Sequence, residues 1–164
     1  MRLLCGKMQK LLYKGNIKLD RVVCELRVLG LDLGDRTIGV AVSDTLGWTA
    51  QGLTTIRRTD IDTDVEKIKE LIREWNILKI VVGLPKNMNS TIGPQGEKAI
   101  EFAGLLEEVT GLEVLLWDER LSTVAVERML IEGNVSRNKR KRVIDKVAAA
   151  FILQGYLDNR NNTR

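Results

Sequence analysis

The chain has 164 residues, with 26 Lys/Arg against 22 Asp/Glu, a net charge of +4 and no histidine. That length suits one domain with a core of its own. The missing histidine excludes Ser-His-Asp and Cys-His catalysis and His-ligated zinc, so polar chemistry must come from carboxylates, Lys, Arg, Ser, Thr or a bound metal.

Residues 1–26 read as an extension: basic, weakly periodic and without a clear element. Residues 1–27 carry seven Lys/Arg and two acids, or +5, so residues 28–164 sum to −1. The domain itself is near neutral, and any case for nucleic acid must be made locally. Cys5 and Cys24 match no metal spacing, which points to a reduced, cytoplasmic protein. The apolar patch at 1–12 is broken by Lys7, Gln9 and Lys10 and has no signal-peptide pattern. No stretch is long and apolar enough for a membrane span.

The pattern sharpens at Arg27. Residues 28–32 (V-L-G-L-D) form a buried strand, 33–36 a glycine-containing turn, and 37–43 (T-I-G-V-A-V-S) a second, β-branched strand. A third short strand lies near 52–56. The period then changes: Ile61, Val65, Ile68, Ile72 and Trp75 recur at helical spacing, with Asp60, Asp62 and Asp64 at the end where negative charge is favourable. Residues 80–84 (I-V-V-G-L) are continuously apolar, as in a central parallel strand. A loop over 85–96 leads to a helix over 97–110 ended by Gly111, then a strand over 113–117. A helix over 122–132 stops at Gly133-Asn134. A charged loop at 136–142 precedes the last helix, 143–157, and the tail at 159–164 is polar. Three strands followed by βα units predict an α/β domain with a mixed sheet and helices on both faces.

Three acidic positions stand out. Asp32 ends an apolar strand, where a buried carboxylate is costly unless it is paired or binds a metal; it equally suits a turn cap. Asp118 and Glu119 follow a strand and precede a helix. That is where open α/β sheets bind ligands, and also where acids complement a helix dipole. Asp145 lies in the first turn of a helix apolar nearly all round, on a face shared with Ala148, Ala149 and Ile152. Carboxylates without His or Cys suit Mg²⁺ or Mn²⁺, and two such ions ~4 Å apart can promote phosphodiester cleavage. The run Arg137, Lys139, Arg140, Lys141 and Arg142 precedes Asp145. Such runs are commonly solvated faces, but its position favours phosphate contact, with Arg36, Lys86 and Arg120 adding to the same surface. Trp48 and Trp75 read as packing residues. Trp117, at a strand end, suits either role.

Five segments in order carry a family resemblance: R-V-L-G-L-D-L-G-D-R-T-I-G-V-A-V-S-D (27–44), V-V-G-L-P (81–85), G-P-Q-G (93–96), D-E-R-L-S-T (118–123) and I-D-K-V-A-A-A-F-I-L-Q-G-Y-L-D (144–158). Over residues 27–158 the chain resembles the YqgF family, also called the RuvX-type Holliday junction resolvases. The resemblance implies an RNase H-like fold with sheet order 3-2-1-4-5. It places the family's catalytic and metal-binding acids on Asp32, Glu119 and Asp145, with Asp118 able to share or replace the role of Glu119. Related resolvases carry an acid at the end of the fourth strand. This chain has G-L-P there, so Glu119 must compensate.

The function implied is a two-metal hydrolase using Mg²⁺ or Mn²⁺ on structured nucleic acid, foremost the 5′ end of pre-16S rRNA in bacterial ribosome biogenesis. Branched DNA is the alternative substrate, and a non-catalytic nucleic-acid-binding module the alternative class. An actin-like ATPase is disfavoured, because one domain of this length lacks the second phosphate loop. The expected partner is pre-rRNA or branched DNA, the chain acting as a monomer or weak homodimer in the cytoplasm. The family pattern begins Met-Arg-Val-Leu-Gly, whereas Leu26 stands before Arg27 here. Residues 1–25 are therefore expected to be an upstream mis-start, with initiation at position 26. Intact-mass analysis of the native protein checks this, and a mature chain containing residues 1–25 contradicts it.

Overall fold

The computed structural model describes residues 27–86, 91–118 and 137–163, with side chains from Asp145 onward in the last stretch. The expected extension at 1–26 and the expected helix at 122–132 lie outside the described residues.

The elements are β1 (Arg27–Leu33), β2 (Thr37–Ser43), β3 (Ala50–Arg57), α1 (Ile61–Glu74), β4 (Ile77–Leu84), α2 (Pro94–Thr110), β5 (Glu113–Asp118) and α3 (Arg137–Asn162). The sheet order is β3-β2-β1-β4-β5, as the resemblance implies. Short turns let β1, β2 and β3 pair antiparallel. The parallel pairs β1–β4 and β4–β5 need crossovers, which α1 and α2 supply.

Strand alternation splits the core between the two faces of the sheet. Leu29, Leu31, Ile38, Val40, Ile80 and Val82 face α1 and α2 together with Ile68, Phe102 and Leu106. Val28, Ala41 and Val81 face α3, against Ala149, Ile152, Leu153 and Leu157. The helical spacing read for α1 is correct for Val65 and Ile68, but Ile61 at its first turn is exposed.

Several boundaries differ from the sequence reading. Strand β4 starts at Ile77 rather than 80, because the polar Lys79 is matched by Glu113 across the ladder at 2.8 Å. Helix α2 starts at Pro94 rather than 97; proline lacks the N–H that the first helical turn leaves unpaired anyway. Helix α3 starts at Arg137 and ends at Asn162. The expected charged loop over 137–142 is thus helical backbone, and so is most of the expected tail. Arg and Lys are good helix formers and no proline interrupts the run.

Helix α3 lies very close to the sheet because the strands beneath it carry glycine. A Cβ on Gly39 would collide with the carbonyl oxygen of Asp145 and lie 2.6 Å from its carbonyl carbon. One on Gly52 would lie 2.9 Å from the Lys146 carbonyl oxygen, and one on Gly30 2.7 Å from Leu153 Cβ. Polar contacts fix the far end. Gln154 accepts from the Ala50 amide at 2.8 Å and donates to the Trp48 carbonyl at 3.0 Å. Arg160 and Asn161 donate to the Gly47 carbonyl at 2.8 and 3.2 Å. No helix among the described residues is long and apolar enough to cross a membrane.

One substitution is expected to have opposite effects at two glycines. Gly39→Ala forces α3 off the sheet and costs on the order of 3 kcal/mol. Gly104→Ala, within α2 where an added Cβ meets nothing within 4 Å, stabilises by about 1 kcal/mol. Urea denaturation of both variants measures the pair, and a neutral Gly39→Ala would contradict the close seating of α3.

Candidate active site

Asp32 is the sixth residue of β1 and alternates with Val28 and Gly30 onto the face that α3 covers. Its partner across the ladder is Gly39 of β2. The backbone of Asp145 rests on that glycine. A contact available only to a residue without a side chain therefore brings a late helix to the strand position beside Asp32.

The electrostatics record this proximity. The carboxyl of Asp32 is pushed up from 3.8 to about 6, first by burial and then by the charge of Asp145. Both effects disfavour the anion, and among the described residues neither a hydrogen-bond donor nor a cation offsets them. Two half-buried carboxylates without a shared counter-charge make an unstable arrangement that a divalent cation would relieve. Hard oxygen donors and the absence of histidine fit Mg²⁺ or Mn²⁺. Among the described residues no group of three potential ligands occurs. Asp32 and Asp145 supply two, and Glu119 lies outside the described residues, as does Arg120.

Asp118 is placed differently. It ends β5 opposite Leu84 of β4. Leu84 belongs to the core on the α1/α2 face, so Asp118 is directed away from the face that holds Asp32. Its carboxylate pairs with Lys86 at 3.3 Å, and Lys86 also bridges to Ile92 across the intervening loop. Lys86 therefore serves Asp118 in this structure. Arg36 is exposed on the β1–β2 turn. The side chains of Arg137, Lys139, Arg140, Lys141 and Arg142 lie outside the described residues.

The same end of the sheet holds a network that sequence reasoning missed. The turn after Asp32 closes with the Gly34 amide donating to the Thr37 carbonyl at 2.9 Å. Arg58, just past β3, donates from Nη1 to the Gly34 carbonyl at 3.0 Å and from Nε to Asp64 at 3.3 Å. Asp64 is 1% exposed and also accepts from the Thr59 amide. Asp35 accepts from Gln95 at 2.8 Å and Lys98 at 3.1 Å, which ties the turn to the first part of α2. In the sequence, Asp60, Asp62 and Asp64 form one acidic cluster at a helix start. Only Asp60 acts as the cap, accepting from the Thr63 amide at 2.9 Å. An i, i+6 Arg–Asp spacing has no signature that would separate Asp64 from its neighbours.

The family model described as "RuvX: Holliday junction resolvase" matches residues 26–159. A protein of Clostridioides difficile named "Putative pre-16S rRNA nuclease" is 60% identical over 137 residues, covering 84% of this chain and 97% of that protein. A Clostridium tetani protein of the same name is 56% identical over 134 residues, covering 82% and 97%. Among solved structures, Thermus thermophilus RuvC in complex with a Holliday junction substrate superposes with a TM-score of 0.54 at 15% identity, covering 84% of this chain and 97% of that one. At that identity the likeness concerns the fold, which is the RNase H-like arrangement expected from the sequence.

The raised Asp32 carboxyl carries a stability signature. In the folded chain it holds its proton up to about pH 6, whereas an unfolded aspartate releases it near ~3.9. Its contribution to stability is fully present below about pH 4 and lost as the pH rises to about 6. Asp32→Asn should flatten that slope and, at pH 7 in EDTA, stabilise the fold by on the order of 2 kcal/mol. Urea titrations at pH 4, 5, 6 and 7 decide it; an unchanged slope in the variant would show that Asp32 titrates as an ordinary surface carboxylate.

Proposed function

The chain belongs to the RuvX family of Holliday junction resolvases, and from that premise we propose that it is a metal-dependent nuclease of the cytoplasm that cleaves the 5′ region of pre-16S rRNA. Support for the substrate comes from relatives at 56% and 60% identity that bear the pre-16S rRNA nuclease name across nearly their whole length. Support for hydrolysis comes from one observation. Asp32 and Asp145, 113 positions apart in the chain, are brought into the same neighbourhood by the seating of Asp145 on Gly39, and burial together with the Asp145 charge raises the Asp32 carboxyl.

In this reading Asp32 and Asp145 hold Mg²⁺ or Mn²⁺, with Glu119 as the third ligand. The orientation of Asp118 toward the other face and its pairing with Lys86 favour Glu119 over Asp118 in that role. Bound there, such ions would supply water activation and charge stabilisation at the leaving oxygen. Asp32 is held by the strand ladder and Asp145 by the seating of α3, so both donors are fixed before substrate arrives, which limits reorganisation during the reaction. Arg36, Arg120 and the basic residues from Arg137 to Arg142 engage backbone phosphates around the scissile bond. Such contacts set register and affinity without reading sequence. No carboxylate stands at Leu84-Pro85, where related resolvases carry one, so the metal set rests on three acids.

A cleavage assay tests the proposal with a pre-16S rRNA leader and a four-way DNA junction, each in Mg²⁺, in Mn²⁺ and in EDTA. The expected outcome is leader cleavage that EDTA abolishes and that Asp32→Asn and Asp145→Asn each reduce by ~10³-fold or more, while binding of the leader in EDTA persists. Preferential cutting of the junction would move the substrate to branched DNA. Binding without cleavage of either substrate in either metal would leave a non-catalytic nucleic-acid-binding module.

A further inference from the structure

The β1–β2 turn is braced from two sides, and the pattern of bracing singles out one side chain. Gly34 has none. Asp35 is committed to Gln95 and Lys98 of α2. Arg36 is exposed, and the described residues give its side chain no hydrogen bond or ion pair. The backbone on either side of Arg36 is nevertheless fixed. Arg58 donates from its guanidinium to the Gly34 carbonyl at 3.0 Å, and from its own amide to the Arg36 carbonyl at 3.0 Å. The guanidinium is in turn held by Asp64, a carboxylate 1% exposed. A buried acid that serves to aim an arginine at a surface turn is a costly way to hold a loop that has no task.

We propose that Arg58 is a positioning residue for nucleic-acid engagement, acting through Arg36: it fixes the turn so that Arg36 meets a substrate phosphate beside Asp32. The proposal rests on the nuclease reading given above. Asp32 itself does not need Arg58, because its neighbours Leu31 and Leu33 and its own position are registered in the β1–β2 ladder against Val40, Ile38 and Gly39. Arg36 lies beyond β1 and just before β2, where the ladder no longer dictates the path. The fork of the guanidinium is essential to the role. Its Nε and Nη1 bind two acceptors at once, in fixed relative directions, and a lysine ammonium cannot reproduce that geometry.

The decisive variants are Arg58→Lys, Arg36→Ala and the double mutant. Lysine keeps a positive charge for Asp64, so a purely structural role is restored by Arg58→Lys and a positioning role is not. Affinity is measured with a fluorescently labelled pre-16S leader in EDTA, which separates binding from cleavage. Arg36→Ala is expected to weaken binding about tenfold and Arg58→Lys about fivefold, at a melting temperature close to that of the starting protein. The double mutant should be no weaker than Arg36→Ala alone, about tenfold below the starting protein, whereas independent losses would multiply to about fiftyfold below it. In the metal-loaded cleavage assay Arg58→Lys should raise KM and leave kcat nearly unchanged.

Wild-type affinity in Arg58→Lys, or losses that multiply in the double mutant, would overturn the role of Arg58 and leave the nuclease reading intact. Unchanged binding in Arg36→Ala would remove Arg36 from the proposed interface, and Arg58's role with it. Should Arg58→Lys melt early, the pair Arg58→Gln with Asp64→Asn removes both charges of the ion pair together, and the same cycle with Arg36→Ala gives the same decision.

Discussion

The seating of α3 on Gly39 is the contact on which the candidate site depends. A helix backbone can touch a strand backbone only where the strand carries no side chain, and the β2 residue opposite Asp32 is a glycine. Gly30 and Gly52 continue the same close approach on β1 and β3. Their effect is to set the height of the helix over the sheet, and with it the separation of Asp145 from Asp32. Any larger residue at Gly39 would lift the part of α3 around Asp145 and open the gap between the two acids. Packing and the placement of the two candidate acids are therefore set by the same atoms.

That geometry has an electrostatic consequence. Burial of Asp32, and then the charge of Asp145, raise its carboxyl and so carry a local destabilisation that no counter-charge among the described residues relieves. The rest of the molecule tolerates it because the core on the other face is extensive and the far end of α3 is tied to the β2–β3 loop through Gln154, Arg160 and Asn161. Destabilised ionisable groups are characteristic of sites that await a ligand. The other acids nearby show the contrast. Asp64 has Arg58, Asp118 has Lys86 and Asp35 has Lys98. Among the described residues, Asp32 differs from these three in having a like-charged neighbour instead of a cation.

The two sides of the sheet divide the work. The α1/α2 side holds the larger core and, at its upper edge, the Arg58–Asp64 and Asp35–Lys98 contacts that shape the turn after β1. The α3 side holds the acids. Strand β1 belongs to both, since its odd-numbered leucines face one core while Gly30 and Asp32 face the other. The period of two in a strand thus lets one short segment anchor the fold and present a carboxylate.

Much of this was legible in the chain itself. The β-branched runs, the helical spacing of Val65 and Ile68 and the order of elements fix an α/β domain with three antiparallel strands followed by parallel ones, because hydrophobic period and connection length are local properties of sequence. The motifs around Asp32 and Asp145 point to the family, which the family model bears out, and make those acids the candidates. Other features depend on who faces whom, which no local pattern encodes. Sequence could not separate Asp64, a buried partner of Arg58, from Asp60, a helix cap. It could not show that the run at 137–142 continues a helix. Nor could it place Asp118 on the face opposite Asp32, since that follows from the register of β5 on β4. Tertiary structure alone decided that Gly39 serves as the seat of Asp145, because the need for a glycine arises from a backbone more than a hundred residues away, and only folding brings the two within contact.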